Sequence, residues 1–189
     1  MENKKQIEVE LRGPLTDRKL KTLSAQLKRE DKFLGRKKQT VIFFQKNKLL
    51  NLPKDYLRLQ IDENGEKVCL KIKSQIGANQ EVEFFLKIGQ YKKAIMFFKS
   101  VGFTNYSVSP AQREDFLYHG AMISLKWRCV IGPHFEIEKI VSQKNNIKKA
   151  RESLLLLIRK LGLKVWTDKA YSKYKSYCWD KYRLTGRLK

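Results

Sequence analysis

Three pairs of carboxylates stand two residues apart in this sequence: Glu8/Glu10, Glu81/Glu83 and Glu136/Glu138, each enclosing one apolar residue. Basic residues keep the same spacing in neighbouring segments, with Arg12 two beyond Glu10, and then Arg58/Gln60, Lys71/Lys73 and Lys126/Arg128. On a β-strand, side chains two apart share a face. Each segment therefore has a charged face opposite an apolar one: Ile7, Val9 and Leu11; Leu57, Leu59 and Ile61; Leu70 and Ile72; Val82, Phe84 and Leu86; Leu125, Trp127 and Cys129. In an open sheet the charged face would simply lie in water. In a closed sheet the apolar side can meet helices while the charged side lines a lumen. Crowded carboxylates raise one another's pKa unless a cation lies between them. A hard divalent ion, Mg²⁺ or Mn²⁺, suits such oxygen donors. The interleaved arginines and lysines suit phosphate oxygens. The chemistry implied is polyphosphate handling with a divalent metal.

The elements that must place these residues can be read from periodicity. Alternation predicts strands over 7–12, 56–61, 68–73, 81–86, 113–118, 122–129 and 135–140, with a further β-rich stretch over 40–44. Thr16 is placed to cap a helix carrying Leu20, Leu23 and Leu27, expected to stop near Gly35. Glu63-Asn64-Gly65 is a hairpin signal, and His119-Gly120 and Gly132-Pro133 mark further turns. A second helix is expected from Gln90 to Val101, closed by Gly102, and a third from Asn145 to Leu161, closed by Gly162. Strands in groups punctuated by single helices predict an α+β fold with a mainly antiparallel sheet.

Composition narrows the partners. The 189 residues include 41 Lys+Arg against 19 Asp+Glu, a net charge of +22, which favours anionic ligands. No apolar run exceeds five residues, the length of Leu154–Ile158, which is too short to span a bilayer, and the N-terminus lacks a signal-peptide core. Cys69, Cys129 and Cys178 form no CxxC pair, so reduced thiols and a cytoplasmic location are expected. No phosphate-binding P-loop, GxSxG elbow or Ser-His-Asp arrangement is present. Two histidines, His119 and His134, do not suggest a His-based zinc site. His134 is expected at a turn or lumen mouth, and Trp127 in the core. The tail interleaves Trp166, Tyr171, Tyr174, Tyr177, Trp179 and Tyr182 with lysines and Arg183. It is expected to form a helix whose aromatics cap the barrel; the alternative is an RNA contact by charge and stacking.

The ordered series resembles the CYTH domains, also called triphosphate tunnel metalloenzymes. This family includes class IV adenylyl cyclases, thiamine triphosphatases and inorganic triphosphatases. Glu8-Val9-Glu10-Leu11-Arg12 resembles its ExExK opening, Tyr56–Gln60 its LRxR strand and Val68–Lys73 the strand after it. Glu81-Val82-Glu83 resembles its central ExE, Val101-Gly102-Phe103 the close of its middle helix, and Gly132–Glu138 its late G-x-F-x-E-I-E strand. The departures are Arg12 for the first-strand lysine, Gln60 for the second arginine of LRxR, Asn79-Gln80 in place of an arginine before the central ExE, and Lys126 at a frequent aspartate position.

The resemblance covers about residues 5–165 and implies one domain over 1–189, a closed or nearly closed antiparallel β-barrel with helices outside, and a basic aromatic tail over 166–189. It implies metal-dependent binding and hydrolysis or cyclisation of a nucleoside triphosphate, thiamine triphosphate or inorganic triphosphate, or else a catalytically weak phosphate- or RNA-binding module. Glu8, Glu10, Glu136 and Glu138 would hold Mg²⁺ or Mn²⁺, with Glu8, Glu10 and Arg12 catalytic. Arg12, Arg58, Lys71, Lys73, Arg113 and Lys126 would bind phosphate. Glu81 and Glu83 would stand behind the ligands or join them. With Lys126 in place of an acid, one strong metal position is expected rather than two.

Overall fold

The computed structural model describes residues 7–44, 57–62, 65–73, 79–103, 106–127 and 129–184, and their side chains except at 69–73, 79–82, 107, 175 and 179–184. The elements run β1 (Ile7–Pro14), α1 (Asp17–Glu30), β2 (Lys32–Phe44), β3 (Leu57–Asp62), β4 (Gly65–Lys73), β5 (Asn79–Leu86), α2 (Tyr91–Ser100), β6 (Tyr106–Tyr118), β7 (Ala121–Trp127), β8 (His134–Val141), α3 (Ile147–Lys160) and α4 (Asp168–Leu184). The eight strands curl into an antiparallel ring in the order β1-β5-β4-β3-β2-β6-β7-β8. The β1–β8 edge pairs from Ile7↔Val141 to Pro14↔His134, and among the described residues β1 meets β5 at Glu8↔Asn79. The ring closes between β1 and β5.

The outward face supplies the core. Val9, Leu11, Phe116, Ile123, Leu125, Phe135 and Ile137 are buried with Leu23 and Leu27 of α1 and Leu154, Leu157 and Ile158 of α3. A second cluster joins Ile42, Phe44, Leu57, Leu59 and Phe103 to Ile95 and Phe98 beside α2. Each fully buried aliphatic or aromatic side chain contributes about 1.5–3 kcal/mol, so the barrel wall and its helices stabilise one another.

Three local features fix the frame. Thr16 caps α1, its hydroxyl accepting from the Lys19 amide at 3.1 Å. α1 ends at Glu30, earlier than the expected stop near Gly35, and Asp31 is already extended (φ −141°, ψ 172°). Gly35 instead serves a bulge in β2, where the register shifts between Phe33 and Gly35 and its φ is +129°. His119 (φ 45°) and Gly120 (φ 71°) form a two-residue hairpin loop between β6 and β7, whose positive φ values match strand twist. β2 and β6 are longer than their alternation suggests and pair along most of their length, from Lys32↔Leu117 to Phe44↔Tyr106. Trp127 is half-buried and lies under the Arg36 guanidinium, 5.5 Å from the ring centre, a correction to its expected place in the core. The hairpin signal Glu63-Asn64 and Arg128 lie outside the described residues. Among the described residues no helix is long and apolar enough to cross a membrane.

Candidate functional site

The register carries one phase around the ring. Directly opposed residues share a face. Glu10 stands opposite Glu138, and Arg12 opposite Glu136. Glu138 pairs with Met122, Glu136 with Ser124, and His134 with Lys126. Lys126 pairs with Arg113 and Ser124 with Asp115. Arg113 pairs with Lys37, and Val41 with Ser109. Val41 in turn faces Gln60, and Phe43 faces Arg58. Cys69 then pairs with Arg58 and Glu83, Lys71 with Glu81, Lys73 with Asn79, and Asn79 with Glu8. Because the intervening positions form the helix-covered core, this phase is the lumen face. Glu8, Glu10, Arg12, Arg58, Glu83, Arg113, Lys126, Glu136 and Glu138 are all on it. Lys71, Lys73 and Glu81 hold matching backbone positions, and their side chains lie outside the described set.

Acids and bases on this wall are matched in pairs. The Arg12 guanidinium donates to Glu10 at 2.6 Å. Lys126 donates to Glu136, and His134 Nε2 lies 3.7 Å from the same carboxylate. Arg113 pairs with Asp115 at 2.9 Å, Lys37 approaches Asp115 at 3.8 Å, and the Ser124 hydroxyl donates to it at 2.7 Å. Lys67 donates to Glu83 at 2.5 Å. Asp115, Ser124, Lys37 and Lys67 escaped the sequence reading. Their signal was the phase of β2, β4, β6 and β7, and for Lys37 and Asp115 that phase lies in or beside unalternating stretches.

The charges set the protonation states. Burial alone would push Glu136 upward, but Lys126, His134 and Arg12 hold it well below the carboxylate range. Glu138 goes the other way: burial, then repulsion from Glu10 and Glu136, raise it to about 7 despite Lys126 and Arg113. Burial disfavours the charged form of His134, yet its contacts with Cys129 and Glu136 raise it to about 9. His134 is buried at the start of β8, with Nδ1 2.9 Å from the Gly132 carbonyl.

The C-terminal segment closes over the Arg12 end of the lumen. The Trp166 amide donates to the Arg12 carbonyl at 2.9 Å. The Tyr171 ring lies under the Arg12 guanidinium at 4.5 Å. Trp166 packs at tilted angles against His134 (6.2 Å between ring centres), Tyr171 (5.4 Å) and Tyr174 (5.7 Å). These three tail aromatics cap the barrel as expected. Tyr177 is exposed, and the side chains of Trp179 and Tyr182 lie outside the described residues.

A model of the CYTH domain matches residues 6–170. The chain belongs to the CYTH family. Among curated proteins nothing matches. Solved structures share the CYTH fold with it at low identity. A protein from Pyrococcus horikoshii is 23% identical with a TM-score of 0.68, over 84% of this chain and 94% of that one. A candidate adenylate cyclase from Vibrio parahaemolyticus is 16% identical with a TM-score of 0.66, over 90% and 98%. A candidate adenylyl cyclase from Hippeastrum, described as having a dominant triphosphatase activity, is 17% identical with a TM-score of 0.56, over 90% and 95%.

CYTH proteins are in general metal-dependent, so the donor set of this CYTH lumen can be tested against a divalent ion. Glu10 and Glu138 oppose each other across β1 and β8, and burial with their mutual repulsion raises Glu138 to about 7, a repulsion that a cation between them would relieve. Glu136 is engaged by Lys126, and among the described residues no three His, Cys, Asp or Glu side chains are gathered to hold a metal. The residues fit one ion held by one or two carboxylates, with phosphate oxygens and water completing its shell, which is a usual arrangement for Mg²⁺.

The raised Glu138 gives a testable pH dependence. The folded state holds a proton there that the unfolded chain releases near the ordinary value of 4.5, so stability falls as pH rises from about 4.5 through about 7. Glu138→Gln removes this loss. Its melting temperature is expected to exceed the wild type by several degrees at pH 8 and to match it at pH 5. Equal differences at both pH values in thermal melts would contradict the assignment.

Proposed function

We propose that the lumen of this CYTH chain binds a triphosphate-containing substrate (a nucleoside triphosphate, thiamine triphosphate or inorganic triphosphate) and hydrolyses or cyclises it with Mg²⁺ or Mn²⁺. The observation that carries this reading is the unbroken lumen phase, which brings Arg12, Arg113 and Lys126 onto one wall with Glu10, Glu136 and Glu138.

In this reading Arg12 presents its planar fork to phosphate oxygens, its direction fixed by Glu10 and Tyr171. Lys126 and Arg113 neutralise neighbouring phosphates from β7 and β6, with Lys37 beside them and Arg58 across the lumen. In this reading Glu10 and Glu138 hold the metal, with Glu8 two residues along β1. The metal, when bound, supplies Lewis acidity toward the phosphoryl group. Ser124 and Asp115 keep Arg113 in place from within the wall. The tail aromatics exclude water from the Arg12 end, which strengthens each charge contact there.

A phosphate-release assay across tripolyphosphate, ATP and thiamine triphosphate, with and without Mg²⁺ or Mn²⁺, tests this reading. Metal-dependent release, or a cyclic nucleotide product, from at least one of them is expected. Binding without turnover would favour the second reading, a catalytically weak phosphate-binding module, for which the Lys126–Glu136 pair speaks directly. The RNA alternative has less support, because Trp166 and Tyr171 already spend their faces on His134 and Arg12.

Lys126 gives a second test. A protonated amine cannot hold a metal, so it neutralises phosphate and ties up Glu136. Lys126→Asp sets a carboxylate beside Glu136 and is expected to raise metal-dependent turnover roughly tenfold, about 1.4 kcal/mol in barrier, while weakening phosphate binding without metal. Turnover already high in the wild type and unchanged in the variant would remove Lys126 from the account.

A further inference from the structure

Beyond the charged wall, the lumen phase continues into an apolar stretch. Leu117 on β6, Met122 on β7 and Ile140 on β8 occupy lumen positions. Met122 is directly opposite both Leu117 and Glu138, and Ile140 is opposite Glu8. The three therefore border Glu8 and Glu138 on the side away from Arg12 and the closing tail. Leu117 is 43% exposed and Ile140 56%, so neither is packed into a core, and Met122 is half-buried. Neighbouring residues of opposite phase, Phe116, Ile123 and Ile137, are fully buried beneath α1 and α3. The core has its apolar side chains already, so these three are not needed to build it.

Scattered single apolar residues on a surface need no explanation, but a contiguous group beside a charged site does. Small-molecule sites characteristically join a largely apolar lining to a few fixed charges. Resting on the triphosphate reading above, we infer that Leu117, Met122 and Ile140 form a subsite for the organic part of the substrate. The preferred ligand is then a triphosphate ester carrying a flat, largely apolar ring, rather than inorganic triphosphate. The phosphates lie along Arg12, Lys126 and Arg113, and the ring rests on the apolar stretch beyond Glu138. Met122 suits this place, because its unbranched thioether adapts to a ring face.

The test is calorimetric titration of tripolyphosphate, ATP and thiamine triphosphate at one Mg²⁺ concentration, with the wild type and with Met122→Ser and Ile140→Ser. Ile140 is exposed, so its replacement leaves the core intact, and thermal melts check both variants. At least one organic triphosphate is expected to bind roughly tenfold or more tightly than tripolyphosphate, the order expected for burying part of a ring. The two variants are expected to narrow that difference to about twofold or less, leaving tripolyphosphate affinity unchanged. Tripolyphosphate binding as tightly as both esters in the wild type, or variants that weaken all three ligands equally, would overturn the subsite alone. Binding of none of the three would overturn the triphosphate reading itself, and the subsite with it.

Discussion

Arg12→Gln is expected to weaken triphosphate binding by roughly 2–5 kcal/mol, a loss of about 30-fold to several thousandfold. Arg12 is a lumen cation held in a fixed geometry. Its guanidinium donates to Glu10 at 2.6 Å, its face covers Tyr171 at 4.5 Å, and its carbonyl accepts from the Trp166 amide at 2.9 Å. A fork held by Glu10 and Tyr171 loses little freedom when it engages phosphate, and glutamine offers neither the charge nor the fork. The substitution also takes one cation from Glu136 and a direct partner from Glu10. Arg12→Lys, which keeps the charge but not the fork, is expected to fall between. The backbone contact to Trp166 survives both changes, so thermal melts should show folded protein while titration shows the lost affinity. Wild-type affinity in Arg12→Gln would remove Arg12 from the phosphate site.

The largest effect on stability is expected one residue later. A Cβ on Gly13 would lie 1.8 Å from the Lys164 carbonyl oxygen and 2.7 Å from the Phe135 ring. Phe135 is fully buried, and the oxygen belongs to backbone, so neither can swing aside as a flexible side chain would. Gly13→Ala must displace the segment leading to Trp166, at roughly 3 kcal/mol, the upper part of the range for overpacking. For a chain of this size that is a fall of about 6–12 °C in melting temperature. The displaced segment carries Trp166 and Tyr171, so triphosphate affinity should fall with stability, unlike in Arg12→Gln. A melting temperature within 1–2 °C of wild type, within the effect of a minor surface change, would show that the segment does not pack on Gly13.

How much of this was legible in the sequence differs from element to element. Strong alternation in β1, β3 and β8 sufficed to place Glu8, Glu10, Arg12, Arg58, Glu136 and Glu138 on a common face. Once a strand is paired on both edges, its two-residue period leaves its side chains no other choice. β2 and β6 were seen only in part. Arg36-Lys37-Lys38-Gln39 and Ser107–Gln112 do not alternate, because the outward face there also carries polar groups. Glu114 shows why. It faces outward yet is buried, and burial alone would raise it, but Lys28, Ser24 and Arg36 bond it and hold it low. An acid that ties α1 to the barrel reads, in one dimension, like any surface charge. The end of α1 was misplaced for a related reason, since glycine serves both a helix stop and a β-bulge, and Gly35 takes the second role.

The pairing of charges was not legible at all. Lys126 was visible as an inward position, but its engagement of Glu136 depends on the β7–β8 register, set by the Cys129–Pro133 connection and the whole ring. The same holds for Tyr171 under Arg12, a contact across 159 positions of sequence that follows from Gly13 admitting the tail. Sequence periodicity tells which face a charge is on; only the closed ring tells which charge it meets.

On the proposed function, a triphosphate lies inside the ring. A crystal structure of the protein grown with tripolyphosphate or a slowly hydrolysed nucleoside triphosphate tests it most directly. Phosphate density is expected within the lumen, with oxygens in hydrogen-bond range of Arg12, Arg113 and Lys126, and Lys126 drawn away from Glu136. Phosphate bound only to lysines on the outer helices, with the Lys126–Glu136 and Arg12–Glu10 pairs undisturbed, would contradict it.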